Sequence, residues 1–159
     1  MKRLLLCLFV CTALKAQTSA KADVMLSQPD DTKIYRTPEV DVKPEIKNGM
    51  YTLALFTSQN LKLPDIHNKK VKIFVGFIVE TDGTISDVKF IYMSAKDIDE
   101  AKAKTVTDER KKYEMAQLET MKAESVRVLT SFDESWRPAM KNGKAVRCQY
   151  NYPINFALE

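Results

Sequence analysis

Apolar and polar side chains alternate along the end of the chain: Val146, Cys148, Tyr150, Tyr152, Ile154 and Phe156 fall on one side, and Arg147, Gln149, Asn151, Pro153 and Asn155 on the other. A period of two is that of a half-buried strand. Pro153 has no N–H to give to a ladder, so this strand, or this end of it, is expected at a sheet edge. A second alternation runs over 71–79, where Ile73, Val75, Phe77 and Val79 share one face while Phe74, Gly76 and Ile78 make the other partly apolar. That pattern predicts a central strand with neighbours on both sides. Asp82-Gly83 then predicts a hairpin connection to a return strand, Ile85 to Met93, which sets Val88, Phe90 and Tyr92 against Asp87, Lys89 and Ile91.

The period changes twice along the chain. Met50, Leu53, Ala54, Phe56 and Leu61 recur near helical spacing, which predicts a first helix closed by Pro64. From Tyr113, the residues Leu118, Met121, Ser125, Val128 and Phe132 hold the same period and predict a second helix, with Val126 and Leu129 near its end. Thr107 before Asp108-Glu109 can cap its start. Trp136-Arg137-Pro138 breaks this helix, and Asn142-Gly143 supplies the positive φ of a tight turn before the last strand. Trp136, Pro138, Gly143 and Gly83 are therefore expected to serve structure. Two helices, an antiparallel hairpin and a late strand make an α+β class, with the helices packed on one face of a small antiparallel sheet as a two-layer sandwich.

The opening residues show neither period. Met1-Lys2-Arg3 precedes an apolar run, Leu4 to Leu14, of about 11 residues, where a bilayer crossing needs about 20. A signal peptide over 1–16, or to residue 22, is the expectation. The protein is then periplasmic or secreted. Lipidation at Cys11 is disfavoured by Val10, because a small residue is preferred before the modified cysteine. Residues 17–38 read as a flexible leader, leaving 39–159 for one domain.

Processing changes the charge. The whole chain has 25 basic and 21 acidic residues, a net charge of +4, and loss of Lys2, Arg3 and Lys15 leaves +1. With no net field to attract phosphates, a nucleic-acid partner is not expected. Of the three cysteines only Cys148 remains. It allows no internal disulfide, and its place on the apolar face favours a buried thiol over a nucleophile. His67 stands in a polar loop as the only histidine. A metal site or a histidine-based catalytic pair needs partners that the sequence lacks, so no metal, cofactor or enzymatic activity is expected. Asp82 and Asp87 could pose as paired catalytic carboxylates, but a turn and a solvent face account for them. Over about 98–122 lies a run rich in Lys, Glu and Asp without Gly or Pro, which reads as a solvated helical face.

Several stretches together resemble the TonB C-terminal domain family. They are Val42-Lys43-Pro44-Glu45 with Gly49-Met50, then Asn60 to Pro64, then Val75 to Val88 around Glu80-x-Asp82-Gly83, and finally Trp136-x-Pro138-Ala139, Asn142-Gly143-Lys144 and Tyr152-Pro153-Ile154-Asn155-Phe156. The resemblance implies a β-α-β-β-α-β-like order and a binding domain that captures an extended peptide of an outer-membrane transporter, or of another envelope protein, by strand addition. The charged run over about 98–122 is an insertion relative to that pattern. Family energy transducers also have an N-terminal anchor and a proline-rich spacer. Neither is expected here, so binding without force transmission is the expectation. Arg147, Gln149, Asn151 and Asn155 are the candidate partner-binding residues on the edge strand. The alternative is an adaptor of the same fold whose unrelated partner binds the inserted helix.

Overall fold

A computed structural model describes residues 32–159. In chain order the elements are β1 (Tyr35–Arg36), a 3-10 turn (Thr37–Glu39), β2 (Glu45–Ile46), α1 (Met50–Asn60), β3 (Lys69–Val79), β4 (Ile85–Asp97), α2 (Glu100–Lys104), α3 (Asp108–Thr130), β5 (Trp136–Arg137), β6 (Ala139–Lys141), β7 (Lys144–Val146) and β8 (Cys148–Leu158). Helices and strands mix in an α+β fold. The expected signal peptide, with Cys7 and Cys11, and the leader as far as residue 31 lie outside the described residues.

The main sheet has the order β1-β8-β3-β4, and β2-β5 and β6-β7 form small pairs beside it. β3 is central, as its two apolar faces require, with β8 and β4 antiparallel on either side. Its odd-numbered residues from Val71 to Val79 are almost wholly buried. They share one core cluster with Leu53 of α1, Met121, Val128 and Leu129 of α3, and Phe132, Trp136 and Ile154. Register places Cys148, Tyr150, Tyr152, Ile154 and Phe156 across from Val79, Phe77, Val75, Ile73 and Val71, on the core side as the alternation predicts.

The turns follow their residue types. Asn142 and Gly143 both have positive φ, 50° and 75°, as a two-residue Asn-Gly hairpin turn requires. Gly83 has φ 87° whereas Asp82 does not enter the left-handed region, and Gly83 N–H donates to Glu80 O over 3.0 Å. The loop is therefore a turn closed by a left-handed glycine. Thr107 caps α3 by accepting from Arg110 N–H.

Four expectations need correction. Residues 35–38, assigned to the leader, form β1 and the following turn, because Tyr35 buries its ring with Ala139, Val146 and Cys148. The return strand extends to Asp97 rather than ending at Met93. Within it the register shifts between Phe74 and Val75, so that Phe74 pairs with Tyr92 and Val75 with Phe90. Ile91 is the extra residue of this bulge. Val88, Phe90 and Met93 consequently face the core, while Tyr92 turns outward and is 55% exposed. Finally, the charged run is not all solvated face. Glu114 is buried, with Arg110 Nε at 3.2 Å and Lys69 Nζ at 3.7 Å, which docks the added turns of α3 against the start of β3.

A second polar clamp ties α3 to the end of α1. Glu124 accepts from Arg127 and from Lys62 N–H, and Arg127 Nη2 donates to Asn60 O over 2.8 Å. The Arg127 bond, opposed by burial and helped by Lys62, holds the Glu124 carboxyl down to about 2. A depressed native value means stability that is present above the unfolded pKa and lost as pH falls toward the native one. Glu124→Gln is expected to cost about 1 to 2 kcal/mol at neutral pH. In urea titrations the gap between parent and variant should close between about pH 4.5 and pH 2. A gap constant with pH would mean that the carboxylate charge does not matter.

Cys148 is fully buried, and burial pushes its thiol up to about 11. Peptide mapping after treatment with a thiol reagent should find Cys148 unlabelled in the native protein and labelled in denaturant. Equal labelling in both would place the thiol on the opposite face of β8.

Candidate functional site: the free edge of the last strand

Tyr35 N–H donates to Arg147 O over 2.9 Å, so the Arg147 carbonyl points away from β3 and toward β1. Backbone polar groups alternate sides along a strand. The outward set is therefore Arg147, Gln149, Asn151, Pro153, Asn155 and Ala157, and the inward set pairs with β3. Pro153 falls in the outward set, which explains how a proline sits inside an eleven-residue strand without breaking the central ladder. β1 pairs only with Cys148 and Gln149. From Asn151 to Ala157 the outer side of β8 has no neighbouring strand among the described residues.

Hollows flank this free edge at both ends. Toward the C-terminus, a groove of about 360 Å³ lies between α1 and β8, lined by Ala54, Thr57, Ser58, Leu61 and Leu63 on one wall and by Tyr152 to Phe156 on the other. The small side chains of Ala54 and Ser58, one helical turn apart, leave this space beside the strand. At its floor the Thr57 hydroxyl stands beside the Tyr152 phenol. Burial raises the phenol's pKa while Thr57 acts against that rise, yet Thr57 Oγ1 is buried and completes no hydrogen bond. Toward the start of β8, a broader hollow of about 620 Å³ is lined by Arg36, Thr37, Pro38, Lys43 and Gln149 to Asn151. An extended segment lying along Asn151 to Ala157 would run from the cationic hollow to the apolar groove.

The sheet's other edge is less suited to pairing. β4 is longer, but it has a register shift at each of two places, a positive φ of 48° at Asp87, and charged Lys89, Lys96 and Asp97 along it. Bulges and edge charges keep another strand from aligning. Protein-family models, curated proteins and solved structures give no match to this chain.

The candidate residues separate on this geometry. Arg147 is engaged internally: Nε and Nη2 reach the Glu80 carboxylate at 2.6 and 2.9 Å, and that bond is the main cause of the lowered Glu80 pKa. It fixes the start of β8 to the end of β3 and is not part of the free edge. Gln149 has its backbone beside β1, and its side chain donates to Asn151 Oδ1 over 3.3 Å. Asn151 and Asn155 are exposed on the open stretch. Sequence reasoning did not reach Thr57, Leu61, Leu63, Arg36 or Lys43. A strip of small residues on α1 was the only local signal, and it could not say that β8 would lie opposite. His67 is 69% exposed, with Asp65 at 3.8 Å and Glu159 O at 3.2 Å. Among the described residues no group of three or more His, Cys, Asp or Glu could hold a metal ion, and no helix is long and apolar enough to cross a membrane.

Proposed function

We propose that this chain is a TonB C-terminal-like binding domain of the cell envelope, which captures an extended peptide of an outer-membrane transporter, or of another envelope protein, by adding it to β8. The observation that carries the reading is the free backbone of Asn151 to Ala157 between two hollows, with the only proline of the strand in the outward set. The order β2-α1-β3-β4-α3-β8, with both helices reaching the same core cluster below β3, supports a two-layer sandwich of the β-α-β-β-α-β kind. Backbone pairing supplies affinity, and alternate side chains of the peptide entering the α1 groove supply preference. On this reading the domain binds and does not catalyse. It works in the periplasm, after removal of residues 1–16 or 1–22, and needs no cofactor.

Proline substitution tests the edge directly. Asn151→Pro and Asn155→Pro each remove an outward N–H and leave the β3 ladder intact, so both should fold. A lost backbone hydrogen bond is worth about 1 kcal/mol, and with steric obstruction added, a transporter-derived peptide should bind about tenfold more weakly or worse. Alanine at the same positions should change affinity by less than about threefold, because backbone pairing does not need the side chain. Ile154→Pro, in the inward set, should instead unfold the protein. Circular dichroism and a fluorescence titration read both effects. Folded proline variants that bind like the parent would overturn the reading. Met115, on the inserted turns of α3 and 68% exposed, is the observation that favours the adaptor alternative. Loss of a partner in Met115→Glu, with the proline variants unaffected, would establish that alternative.

A further inference from the structure

The sheet face turned away from the helices carries an unusual set of side chains. Even-numbered β3 residues point to it: Lys70 and Lys72 are exposed and Phe74 is half-buried. Lys70 lies directly opposite Lys96 of β4, and Phe74 opposite the exposed Tyr92. The Lys72 ammonium sits over the Phe74 ring, 4.8 Å from its centre. Ile91, turned out by the bulge, is 41% exposed and covers Gly76, where an added Cβ would meet its Cδ1 at 2.6 Å. Across β8 the same face shows Asn155, Pro153 and Asn151, which carry no charge.

Charge is unbalanced on this face. Among the described residues Lys70, Lys72 and Lys96 make no ion pair, whereas the nearby carboxylates are engaged: Asp97 by Lys69, Asp87 by Lys89 at 2.7 Å, and Glu80 by Arg147. Like charges directly opposite on adjacent strands are destabilising. A fold that keeps Lys70 against Lys96, with Lys72 beside them, has a local conflict of the sort found at functional sites.

We infer that this face docks on the surface of a membrane bearing anionic phospholipid. The three lysines would meet headgroup phosphates, and the Tyr92, Ile91 and Phe74 patch would enter the interfacial layer. Among the described residues, the unpaired cations beside Phe74 and Tyr92 are the three lysines. A flexible ammonium suits mobile, diffuse phosphates, whereas a defined carboxylate or phosphate contact favours the fixed fork of arginine, and the nearby Arg147 is occupied. An aromatic with a polar tip is the side chain that prefers the membrane interface. A second copy of the chain is a poor occupant, because the same face would bring lysines against lysines. Docking by the face leaves the β8 edge open sideways, so this site does not depend on the peptide reading.

Vesicle co-sedimentation tests the inference, using the processed protein purified from the envelope. Binding is expected to vesicles of phosphatidylcholine with phosphatidylglycerol, with little to phosphatidylcholine alone, and high salt should release it. Each lysine near an anionic surface contributes about fivefold, so K70Q/K72Q/K96Q should lower the partition coefficient roughly a hundredfold. Its urea midpoint should stay close to the parent's, since relief of the Lys70–Lys96 repulsion offsets the lost contact of the Lys72 ammonium with the Phe74 ring. Tyr92→Ala should also weaken binding to the anionic vesicles. Equal binding to both vesicle types, or a triple-glutamine variant that binds like the parent, would overturn the inference. So would binding to a soluble polyanion such as heparin without binding to vesicles, which would assign the face to an acidic macromolecule.

Discussion

Replacing Trp136 by alanine is expected to destabilise the fold by about 3 to 5 kcal/mol, the range for deleting a large buried aromatic. The indole is 1% exposed. Its ring centre lies 5.3 Å from that of Phe77 in an edge-on arrangement and 5.3 Å from that of Tyr150, and Phe77 and Tyr150 are themselves stacked at 5.6 Å. Alanine would leave a cavity bounded by β3 on one side and β8 on another, where both strands are held by their own ladder and cannot collapse inward. The indole Nε1 is buried with no hydrogen-bond partner, so the loss is one of packing and area, not of a polar contact. Trp136→Phe should therefore cost distinctly less, since it keeps part of the ring volume and removes an unsatisfied donor. Urea unfolding of both variants tests this. An alanine variant within about 1 kcal/mol of the parent would show that the site repacks, contrary to a rigid three-ring cluster.

Gly83→Ala should have an effect of comparable size for a different reason. Gly83 adopts φ +87°, and an added Cβ would lie 2.3 Å from the Trp136 carbonyl oxygen. The colliding atom is backbone, held where Trp136 N–H donates to Gly83 O over 2.9 Å, so no rotamer change relieves it. Left-handed backbone in a non-glycine residue costs about 1 to 2 kcal/mol, and forced displacement of packed structure about 1 to 3 more, giving roughly 2 to 5. Gly143 is the control: its φ is +75°, but an added Cβ meets nothing within 4 Å. Gly143→Ala should then show only the backbone part, about 1 to 2 kcal/mol. Thermal unfolding of the two variants distinguishes them. Equal losses would mean that the contact between the β3–β4 turn and β5 is not rigid.

The two glycines show where sequence reasoning stops. Asp82-Gly83 and Asn142-Gly143 are equally legible as turns, because positive φ is a property of the residue itself. Only the fold separates one that is pressed against Trp136, more than fifty positions away, from one in open space. Pro153 behaves in the same manner. That it required an edge could be read directly, since a missing N–H is a local fact. Which stretch of the edge stays free depended on β1, whose two residues are too few to show any period.

What the sequence by itself determined was whatever repeats within a few residues. The alternation of β3 and β8, the helical spacing that brings Met121, Ser125 and Val128 to one face, and the cap at Thr107 follow from local geometry and sterics. The tertiary structure alone decided what depends on two distant stretches meeting. The Ile91 bulge answers to the pairing of β4 with β3 and reverses the face of Tyr92. Arg147 loses its place at the free edge because Glu80 stands beside it. The groove exists because Ala54 and Ser58 fall opposite Tyr152 and Ile154. The physical reason is one of range: φ preferences and side-chain periods act within a turn or a strand, whereas ion pairs, cavities and strand partners are set by packing between elements, which no local period encodes.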